Sequence, residues 1–204
     1  MISVFPLFSY PVLISPKNYS FSGPEEKFIS ELPMADNLGN LMSENDRILE
    51  SIELSNLRLF IDEQINIYKS KILNLKSEND IYITQSWINT AKTNQFHPRH
   101  KHPNSLISGV LFITGSEGDG MPPIRFHRSN SLIPLDLQYE ELNDFNTGCR
   151  WFEPVKGRLI LFPSLVEHDV EKNNTNNIRT SLSFNTFVRG EIGNKVQLTE
   201  ITIG

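Results

Sequence analysis

The chain has 204 residues, of which 38% are hydrophobic and 21% charged, and these values are typical of one globular domain. Its 19 basic and 24 acidic residues give a net charge of −5, which argues against binding of nucleic acid or of an anionic membrane through bulk charge. A single cysteine, Cys149, excludes an internal disulfide and a multi-cysteine metal site, so we expect a cytoplasmic protein. No apolar run approaches the roughly 18 residues of a membrane span, so we expect no association with a membrane.

The first fifty residues mix short strand and helix patterns. Residues 4–14 (VFPLFSYPVLI) predict a short strand bounded by prolines. This apolar start does not resemble a secretory signal, because no basic residue precedes Lys17. Residues 25–32 predict a short helix, and residues 33–40 predict a turn-rich segment after it.

The strongest helical periodicity of the chain lies between Leu54 and Ile72. Apolar residues recur there at steps of three and four, which places them on one helical face. These residues are Leu57, Ile61, Ile65, Tyr68 and Ile72. Ser55 is the predicted N-cap. We expect this helix to pack on a sheet rather than to bind a partner helix.

From Asp80 onward the pattern changes to short β-branched and aromatic segments, separated by Gly, Pro, Asn and Asp. The predicted strands cover residues 81–89, 105–114, 123–128, 158–162, 178–188 and 195–203. Many short strands without intervening helices indicate a sandwich or barrel. We therefore predict a single domain over residues 1–204. Its N-terminal strand and helices (1–80) pack on an antiparallel, jelly-roll-like core (81–204).

Three of the five histidines fall within six residues, in the segment QFHPRHKHPNSLISGV. Residues i and i+2 of a strand point to the same face, so His100 and His102 can bind one metal ion. His97 is out of phase with this pair and adjoins Pro98, which makes it a poorer ligand candidate. His168 follows a short strand that ends in proline and is the fourth candidate.

A strand with alternating polar and apolar residues begins eleven residues after His168. Alternation places four polar side chains on one of its faces: Arg179, Ser181, Ser183 and Asn185. Either this face is exposed to solvent, or it lines a cavity in which Arg179 binds a carboxylate through a bidentate pair.

Four motifs in this order resemble those of a group of Fe(II)- and 2-oxoglutarate-dependent oxygenases. The shared patterns are S-W-x-N, H-x-H-P-x-S-x-x-S-G-V, F-P-S-x-x-x-H and R-x-S-x-S-F-N. They correspond here to residues 86–89, 100–110, 162–168 and 179–185. The resemblance covers most of the chain and is specific in the order and spacing of the motifs.

The resemblance implies a mainly β fold, a double-stranded β-helix that holds Fe(II) at one end of the barrel. The implied metal ligands are His100, His102 and His168, with no further catalytic residue beyond the metal centre. Arg179 matches the position that binds the far carboxylate of 2-oxoglutarate, and Ser181 is the matching hydroxyl beside it. We add Asn89, in the predicted strand 81–89, as a candidate cosubstrate contact.

The resemblance also implies a reaction, in which O2 hydroxylates a substrate while 2-oxoglutarate is converted to succinate and CO2. The substrate, a small molecule or a peptide or protein side chain, stays open, and the acidic net charge disfavours nucleic acid. The usual ligand set is two histidines and one carboxylate, but His102 occupies the carboxylate position here. Glu117 and Asp119 are the nearest downstream acids and lie in a predicted turn, so we prefer three histidines to a remote carboxylate.

Three other classes of protein fit part of the pattern. A cupin shares the barrel, but Leu165 stands where its second motif needs glycine, and no glutamate closely follows the histidine pair. Three neutral histidines and a water also describe a catalytic zinc site, as in a hydrolase or hydratase. A non-enzymatic, ligand-binding jelly roll would leave the histidines without a role. Arg179 favours the oxygenase, because zinc hydrolysis needs no buried clamp for a dicarboxylate.

Overall fold

The computed structural model describes residues 3, 9–129, 135 and 137–204. Its helices are α1 (Gly23–Ser30) and α2 (Ser55–Ile67), and α2 continues into a π-helical turn at Tyr68–Leu73. The first strands are β1 (Leu13–Ile14), β2 (Met34–Asp36), β3 (Leu41–Ser43), β4 (Asp80–Ala91), β5 (His97–His100) and β6 (Ile107–Phe112). The later strands are β7 (Ile124–His127), β8 (Cys149–Phe152), β9 (Leu159–Pro163), β10 (His168–Val170), β11 (Arg179–Ile192) and β12 (Ile201–Ile203).

The strands form two antiparallel sheets, which confirms the predicted double-stranded β-helix architecture. The large sheet has the order β1-β9-β6-β11-β4-β3-β2, with β12 paired to the far end of β11. The small sheet has the order β5-β10-β7-β8. None of the helices in the described part of the chain is long and apolar enough to cross a bilayer.

The central strands of the large sheet are buried on both faces. On the outer face, Leu111 and Leu161 pack with Ile61 of α2 in the larger apolar cluster. On the inner face, Val110 and Phe162 belong to a second cluster that includes residues of the small sheet. The space between the two sheets therefore combines an apolar floor with the candidate ligands described below.

A close approach of two strands on the outer face explains one glycine of the second motif. Gly109 on β6 lies directly opposite Phe184 on β11. A Cβ atom at position 109 would overlap the Phe184 ring, so the ring occupies the space that a larger residue would need.

The helix boundaries differ from the predictions at their N-terminal ends. Ser55 does not cap α2, because a 3-10 turn at Ile52–Leu54 leads directly into the helix and makes Leu54 the N-cap. Ser22 caps α1 instead, and its backbone N–H donates to Glu25 at 2.7 Å in a capping box.

Two strand predictions and one turn prediction need correction. The turn-rich segment 33–40 contributes to the hairpin of β2 and β3. Within the predicted strand 195–203 only β12 forms, because residues 195–198 make a turn in which Leu198 has a φ of 56°. Within the predicted strand 4–14 only β1 is extended and paired, and residues 4–8 lie outside the described part of the chain.

Candidate functional site

Three imidazoles converge between the two sheets. One ring nitrogen from each of His100, His102 and His168 lies within 4.8 Å of the others. His102 Nε2 and His168 Nε2 are 3.3 Å apart. Two metal–nitrogen bonds of about 2.1 Å at a right angle separate their nitrogens by about 3 Å. The spacing therefore suits one metal ion bound by all three rings.

Strand pairing brings two of the three histidines together. His100 on β5 lies directly opposite His168 on β10. His102 lies beyond the end of β5, and its backbone N–H donates to the carbonyl of Ser164 at 2.9 Å. His100 and His102 thus converge, as their i, i+2 spacing predicts, although His102 lies beyond the strand in a segment without regular secondary structure.

Hydrogen bonds to backbone carbonyls orient two of the rings. His100 Nδ1 donates to the Pro98 carbonyl at 2.7 Å, and His168 Nδ1 donates to the Val166 carbonyl at 2.9 Å. With the proton held on Nδ1, Nε2 presents its lone pair to the cluster, which is the arrangement that metal-binding histidines adopt.

Burial keeps two of these rings neutral. Burial, with a smaller contribution from the nearby His100, lowers the pKa of His168 to about 3. The same two causes lower the pKa of His102 to about 4. Both rings are therefore neutral at pH 7, the form in which imidazole binds a metal.

His97 lies beside the cluster without joining it. Its ring stacks on the His100 ring, with centroids 4.4 Å apart and 16° between the planes. Strand β5 carries one extra residue between its pairs with His168 and Val170, so His97 projects to the same side as His100. In a regular strand, residues three apart point to opposite faces, which is why the sequence predicts His97 to be out of phase with His100. The bulge reverses this relation.

Arg179 of β11 and Asn89 of β4 line the same small cavity as the three histidines. Both side chains are buried, at 4% and 5% exposure. Arg179 Nε donates to the Pro122 carbonyl at 3.1 Å, but Nη2 has no hydrogen-bond partner among the described residues. Ser181 lies opposite Asn89 in the register of the two strands and also lines the cavity. The polar face of β11 thus borders a cavity rather than solvent.

The Asn89 side chain also has an atom without a partner. Its Nδ2 donates to Ser183 Oγ at 3.1 Å, while the buried Oδ1 is unbonded. In the opposite amide orientation, the Ser183 hydroxyl donates to Oδ1 and the NH2 group is left free. One polar atom of Asn89 is available to a ligand in either orientation.

These unpaired groups fit an anionic cosubstrate. Burial lowers the pKa of Arg179 to about 10, so the guanidinium is still charged at pH 7. A buried charge without an anionic partner is costly, and a carboxylate supplies both the opposite charge and the acceptor that Nη2 lacks. The chemistry of the donor set therefore suits a metal ion at the histidines and a carboxylate at Arg179.

A larger cavity opens beside the first one. The inner cavity measures about 30 Å³, and the outer one about 500 Å³. The residues that line both are His97, Asp169 and Val170. Asp169 accepts two hydrogen bonds from Arg125, at 2.8 and 3.0 Å, and lies 2.9 Å from His127 Nε2. These bonds fix the position of Asp169, which lies between the two cavities and next to the candidate ligand His168.

The alternative carboxylate ligands lie elsewhere. Asp119 accepts backbone hydrogen bonds from Ser116 and Met121 in its own turn, and Glu117 pairs with Arg158 at 3.0 Å. Neither carboxylate belongs to the group of close metal-ligating atoms found among the described residues. The structure thus brings together the three histidines without a remote acid.

Sequence reasoning missed several groups that shape the site. The carbonyls of Pro98 and Val166 orient two histidines, and the carbonyl of Pro122 holds Arg179. Backbone carbonyls leave no residue-type signal, so only the folded chain reveals them. Ser183 was assigned to the correct strand face, but its bond to Asn89 depends on the pairing of β4 with β11.

The chain matches one family model in sequence and several solved structures in fold. Residues 85–185 match the family model described as "Putative 2OG-Fe(II) oxygenase". No curated protein matches the chain in sequence. Among solved structures, a 2OG-Fe(II) oxygenase family oxidoreductase from Burkholderia pseudomallei is 15% identical, with a TM-score of 0.60 over 86% of this chain and 83% of the other.

Two further solved structures share the fold. HygX from Streptomyces hygroscopicus, with nickel, 2-oxoglutarate and hygromycin B bound, is 12% identical, with a TM-score of 0.60 over 86% of this chain and 82% of the other. A prolyl-4-hydroxylase from Pseudomonas putida is 15% identical, with a TM-score of 0.55 over 87% of this chain and 93% of the other. At these identities the structural likeness establishes the fold, while the family match bears on the type of enzyme.

Proposed function

Because this chain belongs to the 2OG-Fe(II) oxygenase family, and so uses Fe(II) and 2-oxoglutarate with O2, we propose that it hydroxylates an organic substrate. In such a reaction one oxygen atom of O2 enters a C–H bond of the substrate. The other oxygen atom enters succinate as 2-oxoglutarate loses CO2. The remaining steps of the proposal assign roles to residues of this chain.

The proposed Fe(II) ligands are His100, His102 and His168. One support is that a ring nitrogen of each lies within 4.8 Å of the others. A second is that Nδ1 of His100 and of His168 is hydrogen-bonded to a backbone carbonyl, which leaves Nε2 free to bind a metal. Three protein ligands on one face of an octahedron leave three positions open. Two of these suit a chelating 2-oxo acid, and the third suits O2.

The proposed cosubstrate clamp is Arg179, assisted by Ser181 and Asn89. The buried Nη2 of Arg179, which lacks a partner yet lines the same cavity as the three histidines, is the observation that carries the proposal. A zinc hydrolase has no use for a buried guanidinium at this place. A dicarboxylate bound at the metal by one end needs such a group for the other end.

The proposed route for the primary substrate is the outer cavity. Its 500 Å³ lies within the range of about 300–1,000 Å³ that small-ligand sites occupy. The inner cavity, at about 30 Å³, lies far below that range, so cosubstrate binding requires its walls to separate. His97 is the wall residue best placed to move, because no hydrogen bond ties its ring to another described residue.

The remaining parts of the proposal are the domain and the compartment. We treat residues 1–204 as one oxygenase domain, supported by the packing of Leu57 and Ile61 of α2 with Leu111 and Leu182 of the sheet in one apolar cluster. A cytoplasmic location is supported by the single cysteine.

A spectroscopic titration followed by a turnover assay tests this function. Under anaerobic conditions, the Fe(II) protein should develop a weak visible charge-transfer band when 2-oxoglutarate is added. With O2 and ascorbate present, succinate release across a library of small molecules and peptides should then identify the substrate. Absence of the band, together with hydrolysis supported by Zn²⁺, would replace the oxygenase with the zinc enzyme.

A further inference from the structure

Four polar residues of the sequence motifs have no role in binding the metal or the cosubstrate. They come from three separate motifs and are Ser105, Ser108, Ser164 and Asn185. In the folded chain they form one continuous hydrogen-bonded row, which we call the serine chain.

The serine chain crosses three neighbouring strands of the large sheet near the histidines. Ser105 Oγ lies 2.7 Å from Ser164 Oγ, which lies 2.8 Å from Ser108 Oγ. Ser108 Oγ in turn lies 2.9 Å from Asn185 Oδ1. Ser108 and Ser164 are each only 1% exposed, so water cannot replace a missing partner without entering the protein.

The count of protons shows that the row acts as a unit. Each hydroxyl has one proton to donate, so the hydrogen bonds must all run in the same direction along the row. In one direction Ser105 donates to Ser164, Ser164 donates to Ser108, and Ser108 donates to Asn185 Oδ1. In the other direction Ser108 donates to Ser164, Ser164 donates to Ser105, and Ser105 donates to the Ile107 carbonyl, 3.1 Å away. The Asn185 amide then has to turn its NH2 group toward Ser108, because its oxygen cannot donate. Removal of one hydroxyl therefore leaves a buried neighbour with an unmade hydrogen bond.

Ser164 lies in the turn that precedes His168 and is bonded to the segment that carries His102. Its carbonyl accepts the backbone N–H of His102 at 2.9 Å. Two residues further on, the Val166 carbonyl accepts the ring proton of His168. On the other side, Ser105 lies in the turn after His102, and its Oγ accepts the backbone N–H of Thr186 at 3.1 Å.

The three candidate ligands depend on these turns to different degrees. His100 and His168 face each other across paired strands, so the ladder of the small sheet sets their separation. His102 follows the end of β5, where strand pairing does not hold it. Its placement rests on its backbone bond to Ser164 and on the bonds of Ser105.

We propose that the serine chain is a positioning element that holds His102 at metal-binding distance from His168, with Ser164 at its centre. The proposal rests on the proposed function, because it assumes that the three histidines bind one metal ion. Groups that orient metal ligands typically change metal affinity about 10–100-fold when they are removed. The serine chain should therefore affect metal affinity more than an equally buried serine elsewhere in the sheet.

Co(II) binding to matched serine variants provides the test. Ser164→Ala should weaken Co(II) binding, measured by calorimetry, about 10-fold or more and should change the ligand-field spectrum. Ser15→Ala is the control, because Ser15 Oγ is a buried acceptor for Leu159 N–H at the other end of β9. The control should lower the melting temperature of the metal-free protein to a similar extent and leave Co(II) affinity and spectrum unchanged.

A thermodynamic cycle separates positioning from general destabilisation. In a His102→Ala background, Ser164→Ala should cause no further loss of Co(II) affinity, because the ligand that it positions is already absent. Ser105→Ala serves in the same cycle if Ser164→Ala does not fold.

The outcomes distinguish the two proposals. Equal Co(II) affinity and spectrum in Ser164→Ala and wild type would overturn the positioning role and leave the proposed function standing. A full additional loss in the His102→Ala background would also overturn it. Failure of the wild-type protein to bind Co(II) at all would overturn the proposed function and this inference with it.

Discussion

The two faces of strand β11 are buried to a similar degree but consist of different chemistry. On the outer face, Leu182 is fully buried among the side chains that pack against α2. On the inner face, Arg179 and Ser181 are 4% and 2% exposed, and both line the cavity with the histidines. Burial alone therefore does not distinguish core from site. The distinguishing feature is a polar atom that the protein leaves without a partner.

On the inner face of the whole large sheet, some buried polar groups have hydrogen-bond partners within the described residues and others do not. The hydroxyls of Ser108 and Ser164 find their partners within the protein, as structural polar groups do. Arg179 Nη2 and Asn89 Oδ1 do not. We therefore expect changes on the outer face to alter the free energy of unfolding, and changes at the unsatisfied groups to alter ligand affinity.

The largest expected effect is on the outer face. Leu182→Ala should lower the free energy of unfolding by an amount in the upper part of the range of about 2–5 kcal/mol, because a fully buried leucine leaves a cavity. Urea denaturation with an unchanged m-value measures this loss. The folded variant should retain wild-type affinity for 2-oxoglutarate. A stability loss below about 1 kcal/mol, the size typical of mild core substitutions, would contradict the assignment of Leu182 to the core.

The next effect concerns the metal. His102→Ala should lower Fe(II) affinity more than about 100-fold, beyond the range seen when a group behind a ligand is removed. His102→Asp should recover iron, because two histidines and one carboxylate form a common Fe(II) site. Metal analysis of the purified variants provides the measurement. Full occupancy in His102→Ala, with loss in His97→Ala or Asp119→Ala instead, would assign the third position to that other residue.

The third effect concerns the cosubstrate. Arg179→Ala should weaken 2-oxoglutarate binding by about 1.5–3 kcal/mol, the contribution of hydrogen bonds to a charged group. Fe(II) affinity should stay within a factor of about two of wild type, because Arg179 is not one of the three proposed metal ligands. A tenfold loss would correspond to about 1.4 kcal/mol. Anaerobic calorimetry measures both affinities, with 2-oxoglutarate titrated into the Fe(II)-loaded protein and Fe(II) titrated into the metal-free protein. Unchanged 2-oxoglutarate affinity would show that the clamp lies elsewhere.

The fourth effect is on the pH dependence of stability in the metal-free protein. Burial lowers the pKa of His102 to about 4 and that of His168 to about 3, whereas unfolded histidine titrates near pH 6.5. Between pH 6.5 and 4 the unfolded state therefore binds more protons, so stability falls as the pH falls. Each buried histidine contributes up to about 1.4 kcal/mol per pH unit.

Urea denaturation at pH 7, 6 and 5 tests this dependence, with His168→Gln as the comparison. The variant should show a shallower slope, because one of the titrating groups is gone. A wild-type stability that is independent of pH across this window would mean that the rings are not buried as neutral imidazoles.

Much of the fold was predictable because it depends on local patterns. The periodicity around Ile61 predicted α2, and alternation predicted the long strands β4 and β11, each close to its observed bounds. Strands β5, β8 and β10 have only three or four residues and were missed. Segments of this length carry too few residues to show alternation, and hydrogen bonds to partners far along the chain define them.

The candidate site shows the same division. Spacing and the resemblance to known motifs single out His100, His102, His168 and Arg179 in the amino-acid sequence. Contacts between segments that are far apart in the chain specify how these residues are arranged. A bulge in β5 stacks His97 on His100. The serine chain links Ser105, which follows His102, to Ser164, which precedes His168. These contacts depend on the register between paired strands. A one-residue shift in register would turn the side chains to the opposite face of the sheet, and no local sequence pattern specifies the register.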